Sequence, residues 1–185
     1  MTMTQDLVVL VDPDGTPHGT ADRLTVHDAH TPLHFAFSCH LIDEGGRLLM
    51  TRRALSKKTW PGVWTNSFCG HPRPGEDTED AIRRYSRREL GVDIDDLRPI
   101  LPDFRYRAVD ASGVVENEVC PVYAARPLGP IVPNPDEVME CAWAGVDEVF
   151  AAATRTPWLL SPWFVEQVLA LSARPDRYGR AEISK

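Results

Sequence analysis

Several things this chain lacks narrow its possible work before any motif is read. Long apolar runs are missing: near the start the longest is Leu7–Val11, too short to span a bilayer or to form the core of a signal segment. A basic surplus is missing as well. The formal charge is −7, from 20 Lys and Arg against 27 Asp and Glu, so a nucleic-acid partner, which needs a basic surface, is not expected. An acidic total still allows a local basic pocket for a small anion. The four cysteines, Cys39, Cys69, Cys120 and Cys141, form no C-x-x-C pair and no dense framework, which points to reduced thiols rather than a disulfide scaffold. Neither G-x-x-x-x-G-K-S/T nor G-x-G-x-x-G occurs, so nucleotide-binding loops of those kinds are absent. The expectation is a cytoplasmic protein, monomer or weak dimer, acting on a small molecule, with no membrane and no nucleic acid.

What is present fits one domain. At 185 residues, 43% hydrophobic and 25% charged, the chain is long enough for one substantial core and short for two. Residues 1–185 are read as a single domain, with its core over 6–173 and a loose polar tail over 174–185. Leu7–Asp12 reads as a strand closed by Asp12-Pro13-Asp14-Gly15. Leu33–Ile42 and Arg47–Arg52 read as strands joined in a glycine hairpin at Asp43-Glu44-Gly45-Gly46. Lys58–Gly75 is a long loop rich in Trp, Pro and Gly, and ordered loops of that length tend to be functional. Asp77–Leu90 is the best helix, with Glu76 and Asp77 at its start and Gly91 as its stop. Ile100–Ala108, Val114–Ala124 and Glu137–Ala144 read as strands, Asp147–Thr154 and Ser161–Arg174 as helices. Strands with interspersed helices and several hairpin-like joins predict a mixed α/β (α+β) domain rather than a doubly wound parallel sheet.

The chemistry begins at Val115-Glu116-Asn117-Glu118-Val119. Strand alternation puts Glu116 and Glu118 on one face, continued by Cys120 and Val122, so that face looks inward. Two inward carboxylates call for a cation. His27, His34 and His71 would complete a five-ligand nitrogen and oxygen site suited to Mn²⁺, Zn²⁺ or Fe²⁺ more than to Mg²⁺. His30 competes with His27 on spacing alone; His30 and His40 are read as structural. Cys69 lies beside Gly70 in a loop two residues before His71, where a nearby cation would favour its thiolate. Cys39, Cys120 and Cys141 fall in predicted strands and are read as inert. Arg52, Arg53, Lys57 and Lys58 cluster just before that loop, and such a cluster can hold a diphosphate.

Gly70, Glu76, Arg84, Glu89, Gly91 and Val92 fit most of the Nudix box, G-x5-E-x7-R-E-U-x-E-E-x-G-U. Tyr85 and Arg88 stand where two of its glutamates belong, and Ser86 where an aliphatic residue is usual. A diphosphohydrolase relying on those glutamates would be crippled, and it is kept as the alternative reading.

Four stretches carry a broader likeness: Thr51–Ser67, Cys69-Gly-His-Pro, Asp103-Phe-Arg-Tyr-Arg-Ala and Glu116-Asn-Glu-Val-Cys-Pro-Val. Together they resemble the type I isopentenyl-diphosphate isomerases, over about Leu7 to Leu171. The resemblance implies a Nudix-like mixed-sheet α/β/α sandwich that shifts a double bond between isopentenyl and dimethylallyl diphosphate instead of hydrolysing. It implies His27, His34, His71, Glu116 and Glu118 as ligands of one divalent metal (Mn²⁺, Mg²⁺ or Zn²⁺). Glu89 would serve a second ion, Mg²⁺, bound with the substrate diphosphate, which Arg53 and Lys57, with Arg23, would contact. Cys69 and Glu118 are implied as the acid/base pair, with Tyr106 beside Glu118 and Trp163 lining the hydrocarbon end. Relatives carry an arginine at the position of Tyr85. Adding a proton to an alkene and removing another requires dry surroundings and two proton-transfer groups. Glu118 with Tyr106 is assigned the protonation and Cys69 the deprotonation, although a reversible reaction also admits the reverse.

Overall fold

The computed structural model describes residues 6–174 and Tyr178. In chain order the strands are β1 Leu7–Val11, β2 Pro17–Asp22, β3 His34–Phe35, β4 Phe37–Leu41, β5 Arg47–Arg53, β6 Trp64–Thr65 and β7 Phe68–Gly70. Helix α1 (Thr78–Leu90) follows, then β8 Ile94–Leu101, β9 Arg105–Val109, β10 Val115–Val119, β11 Val122–Pro127 and β12 Val138–Gly145. Helices α2 (Val146–Arg155) and α3 (Pro162–Ser172) close the order, linked by a short 3-10 turn at Pro157–Leu159.

Helix α1 forms where its sequence signals lie. The Asp77 carboxylate accepts from the Glu79 N–H at 2.8 Å, and Gly91 ends the helix at φ 61°, a left-handed turn that favours glycine. Ala81, Ile82, Tyr85, Ser86, Glu89 and Leu90 make its buried stripe.

The strands run β2-β1-β3-β10-β9 in one sheet, β7-β4-β11-β8 in a second and β12-β5-β6 in a third. Three predicted strands are each cut in two where they pass between the first sheet and the second. The stretch 33–42 breaks at Ala36, whose N–H donates to Val119 O at 2.9 Å. The stretch 114–124 breaks at Cys120-Pro121, and 100–108 breaks at Pro102–Phe104, after a strand that began at Ile94. Pro102 and Pro121 carry no N–H to continue a ladder. Cys120 therefore lies between strands, not within one, and donates its N–H to Phe104 O at 2.9 Å.

The expected glycine hairpin is only a turn. Asp43 and Arg47 close it, one bridge joins Ile42 to Leu48, and β4 and β5 then splay into different sheets. Buried Ser67 fills the gap, accepting from Leu41 N at 2.8 Å and donating to Leu49 O at 2.7 Å. Strand β2, absent from the sequence reading, is a polar and mostly exposed edge.

Alternation along β5 feeds two cores. Leu48 and Met50 pack with Phe150, Phe164 and Val168 from α2 and α3, while Leu49 packs with Phe37, Ile82 and Leu90 on the α1 side. The architecture is the expected α/β/α sandwich. The expected loose tail lies outside the described residues except at Arg174 and Tyr178. Tyr178 is buried, its hydroxyl 3.0 Å from His40 Nδ1, so at that point the tail is docked.

Candidate active site

Sheet register assembles the first part of the site. Glu118 on β10 is the direct partner of His34 on parallel β3 and of Tyr106 on antiparallel β9. Direct partners share a face, so imidazole, carboxylate and phenol meet side by side. His71, just past β7, brings Nε2 within 3.1 Å of Glu118 Oε1 and 3.2 Å of His34 Nε2. His27, on the loop after β2, completes the group, its ring centroid 5.0 Å from that of His34. One donor atom from each of His27, His34, His71 and Glu118 lies within 4.8 Å of the others, a group capable of holding a metal ion. Glu116 sits beside it, with Oε2 3.0 Å from His27 Nε2 and Oε1 accepting from Thr59 Oγ1 at 2.8 Å. Glu89 stands apart, on α1 in the same pocket.

The donor chemistry fits a cation. Pro32 O, 2.9 Å away, can only accept, so His34 Nδ1 carries the hydrogen and neutral Nε2 presents a lone pair. That lone pair faces the Glu118 carboxylate at 3.4 Å, a repulsive contact that a positive charge between them relieves. His27 Nε2 is buried with no hydrogen-bond partner, and a metal ion would satisfy it. Without such a cation a proton on His34 does the same work: burial opposes the Glu118 charge, but hydrogen bonds from protonated His34 and from His71 prevail and hold its carboxyl well below the usual range. Burial lowers the affinity of both imidazoles for a proton; in His34 the Glu118 contact outweighs it, and in His71 it does not.

Cys69 occupies the neighbouring wall, fixed by neutral groups. Asn66 Nδ2 donates to its Sγ at 3.2 Å, and Ser38 Oγ lies 3.2 Å away on another side. Asn66 is itself locked, its Oδ1 accepting from Trp163 Nε1 at 3.1 Å and from Thr65 Oγ1 at 2.8 Å. Ser38 accepts from Gln167 Nε2 at 2.8 Å, and Gln167 Oε1 accepts from His40 Nε2 at 2.9 Å. Burial drives His40 down to about 4, so the ring is neutral and its Nδ1 accepts from the Tyr178 hydroxyl. Burial pushes the Cys69 thiol up to about 11, against the pull of Ser38 and Asn66. Burial, reinforced by Glu118 and Glu116, keeps the Tyr106 phenol protonated. The Tyr106 and Trp163 rings stand 5.6 Å apart.

Cys69, Tyr106 and Trp163 line, with His27, His71, Glu116 and Glu118, one pocket of about 320 Å³ whose more exposed end is cationic. Arg23, Arg53, Lys57, Lys58 and Arg88 reach it, with Glu89 and Glu137 between them. Arg53 donates to Thr59 O from Nε at 3.0 Å and Nη2 at 2.8 Å, and its guanidinium lies 5.3 Å from the Trp163 ring centroid. Burial and the Glu137 charge raise Glu89 to about 7, against Lys57, Arg53 and Arg88. The residues singled out from sequence thus meet in one cavity, except His34, which touches it only through Glu118 and His71, and Arg52, which leaves the basic cluster to bind Gly62 O and Glu140. Ser38, Asn66, Thr59, Gln167, Arg88 and Glu137 were not anticipated in these places. Arg88 alone had left a trace, as a departure from the Nudix box.

Comparison with known proteins agrees with this geometry. Residues 32–164 match the NUDIX domain. The chain is 56% identical over 175 residues to the isopentenyl-diphosphate Delta-isomerase of Leifsonia xyli subsp. xyli, covering 94% of this chain and 95% of the relative. It is 54% identical over 172 residues to the enzyme of the same name from Salmonella arizonae, covering 93% and 94%. Among solved structures, DR0079 from Deinococcus radiodurans aligns with a TM-score of 0.70 at 20% identity, covering 89% of this chain and 98% of that one, a likeness of fold. With identities above half along nearly its whole length, the chain belongs to the isopentenyl-diphosphate Delta-isomerase family and carries the NUDIX domain.

Proposed function

We propose that this protein interconverts isopentenyl diphosphate and dimethylallyl diphosphate, in isoprenoid biosynthesis, by protonating and deprotonating the five-carbon chain through a tertiary carbocation. The observation that carries the reading is one pocket with a cationic end and a dry end where a thiol, a carboxylate and a phenol gather. Arg53, Lys57 and Arg23 hold the diphosphate by charge-assisted hydrogen bonds. With the Glu118 carboxylate ionised and the Cys69 thiol protonated, the assignment that balances is the reverse of the one read from sequence: Cys69 delivers a proton to the alkene and Glu118, with the Tyr106 phenol beside it, takes one from the other carbon; the back reaction exchanges these roles. The Trp163 indole and the Tyr106 ring face the cationic carbon and stabilise it by about 2 kcal/mol where water is excluded. Dry walls also protect that carbon from capture by water.

His27, His34, His71, Glu116 and Glu118 hold one divalent ion, Mn²⁺, Mg²⁺ or Zn²⁺, and Glu89 holds a second, Mg²⁺, together with the diphosphate. When bound, the first ion supplies the positive charge that lets two buried carboxylates coexist and sets the proton affinity of Glu118. No helix among the described residues is long and apolar enough to cross a membrane, and the four cysteines are free; cytoplasmic residence, as a monomer or weak dimer, completes the proposal.

The test is incubation with isopentenyl diphosphate and each divalent metal in turn, with dimethylallyl diphosphate as the product followed. No conversion with any metal overturns the proposal. Phosphate release without isomer would favour the hydrolase alternative, against which Tyr85 and Arg88 stand in place of carboxylates. A folded, metal-loaded Cys69→Ala variant loses activity about a thousandfold; full activity would remove the thiol from the mechanism.

A further inference from the structure

Helix α1 departs from the Nudix pattern at Tyr85 and Arg88, and both side chains line the pocket. Three residues apart, they share a helix face, with the Arg88 guanidinium carbon 5.7 Å from the Tyr85 ring centroid. Tyr85 brings no cation to the diphosphate end: its phenol is buried, and burial raises its pKa. Its ring also fixes the loop, since a Cβ on Gly70 would come within 2.6 Å of it. Arg84, the next cation on the helix, is already committed. It grips Glu76 through Nε at 2.7 Å and Nη2 at 2.6 Å, and Nη2 also reaches His71 O at 3.2 Å.

Arg88 is arranged differently. Among the described residues it engages Nη2 alone, on Glu137 Oε1 at 2.7 Å, leaving the donors on Nε and Nη1 for another oxygen. The other carboxylate oxygen of Glu137 holds Lys57 Nζ. One carboxylate thus sets a lysine and an arginine side by side at the rim of the cavity, the pairing of fork and point charge that suits adjacent phosphates.

We propose that Arg88 is a substrate-binding residue of this chain, supplying from helix α1 the diphosphate cation that Tyr85 cannot, and that Glu137 positions it next to Lys57. The inference rests on the isomerase reading for the identity of the ligand, while the contact itself needs only a diphosphate. Inorganic pyrophosphate, which has no hydrocarbon, is therefore the probe, titrated by calorimetry into the Mg²⁺- and Mn²⁺-loaded protein and used as an inhibitor of turnover.

Arg88→Ala weakens pyrophosphate binding about tenfold and raises KM for isopentenyl diphosphate by a similar factor, with kcat within about twofold. Arg87→Ala, which removes an exposed arginine paired with Asp93, changes neither. Adding Tyr85→Arg to Arg88→Ala restores most of the affinity, because the cation returns one turn earlier on the same face. Unchanged pyrophosphate affinity in Arg88→Ala overturns the proposal. So does an equal loss in Arg88→Lys and Arg88→Ala that Tyr85→Arg leaves unrepaired, since the arginine would then serve only to pack against Glu137. Wild-type protein that binds pyrophosphate but forms no dimethylallyl diphosphate would overturn the isomerase reading, and the affinity changes would still decide the role of Arg88.

Discussion

At the cationic end of the pocket each basic side chain already has a partner on the protein, and each partner is a group it can exchange. Arg23 pairs with Asp6, Arg53 with Thr59 O, Lys58 with His27 O, and Lys57 and Arg88 with Glu137. At the opposite end the atoms around Cys69 are locked by neutral hydrogen bonds among Asn66, Ser38 and Gln167, all fully buried. Partly exposed ion pairs are worth about 0–1 kcal/mol, so swapping a carboxylate for a phosphate costs little. A buried neutral network cannot shift without leaving a group unsatisfied, at about 1–3 kcal/mol each. One end is built to be re-paired by a ligand, and the other to keep its shape through the reaction.

If this division holds, substitutions at the locked end act on kcat and those at the cationic end on KM. The largest effect belongs to Glu118→Gln, which keeps the shape and removes the carboxylate that exchanges the proton. Turnover falls about ten-thousandfold while pyrophosphate affinity, by calorimetry, changes within about threefold. Equal loss of both would mean that the residue acts only through the metal.

Asn66→Ala comes next. It strips the acceptor from Trp163 Nε1 and the donor from Cys69 Sγ, so kcat falls about a hundredfold with KM within about twofold. A rise in KM of the same size would break the comparison. Lys57→Ala should do the opposite, raising KM about tenfold with kcat nearly unchanged, as steady-state kinetics would report.

The smallest effect on activity, but a measurable one on stability, concerns His40. Its folded value of about 4 lies below the ordinary 6.5, so the unfolded chain binds the extra proton. The contribution is complete above pH 6.5 and is lost as pH falls toward 4. Between pH 7 and pH 5 the loss is about 2 kcal/mol, and His40→Gln should flatten that part of the denaturant-unfolding profile. A slope as steep as that of the wild type would place the titration elsewhere.

Legibility followed locality. Helix α1 was readable because its cap, stripe and stop lie in consecutive residues, Asp77 to Gly91. Glu116 and Glu118 were readable as an inward pair because strand alternation is also local. The strand breaks at Ala36, Phe104 and Cys120 were not, since the apolar pattern runs on through each; only Pro102 and Pro121 hinted at two of them. Cys69 could be separated from the other thiols only by family likeness. Asn66 and Gln167 carried no signal, because a polar side chain reveals its burial only when distant segments close over it. Their links span 97 residues to Trp163 and 129 residues to Ser38.

Those strand breaks have a consequence for how the molecule opens. The crossing points are tied backbone to backbone, Ala36 to Val119, Cys120 to Phe104 and Ser38 to Pro121. Loosening one sheet there breaks bonds of the other, so the amide hydrogens around His34, Glu118 and the support of Cys69 should exchange together and late, as hydrogen exchange would report. Motions that admit substrate must then come from the rim, the segment 54–63 and the side chains of α1, while the reacting groups stay where the crossing strands hold them.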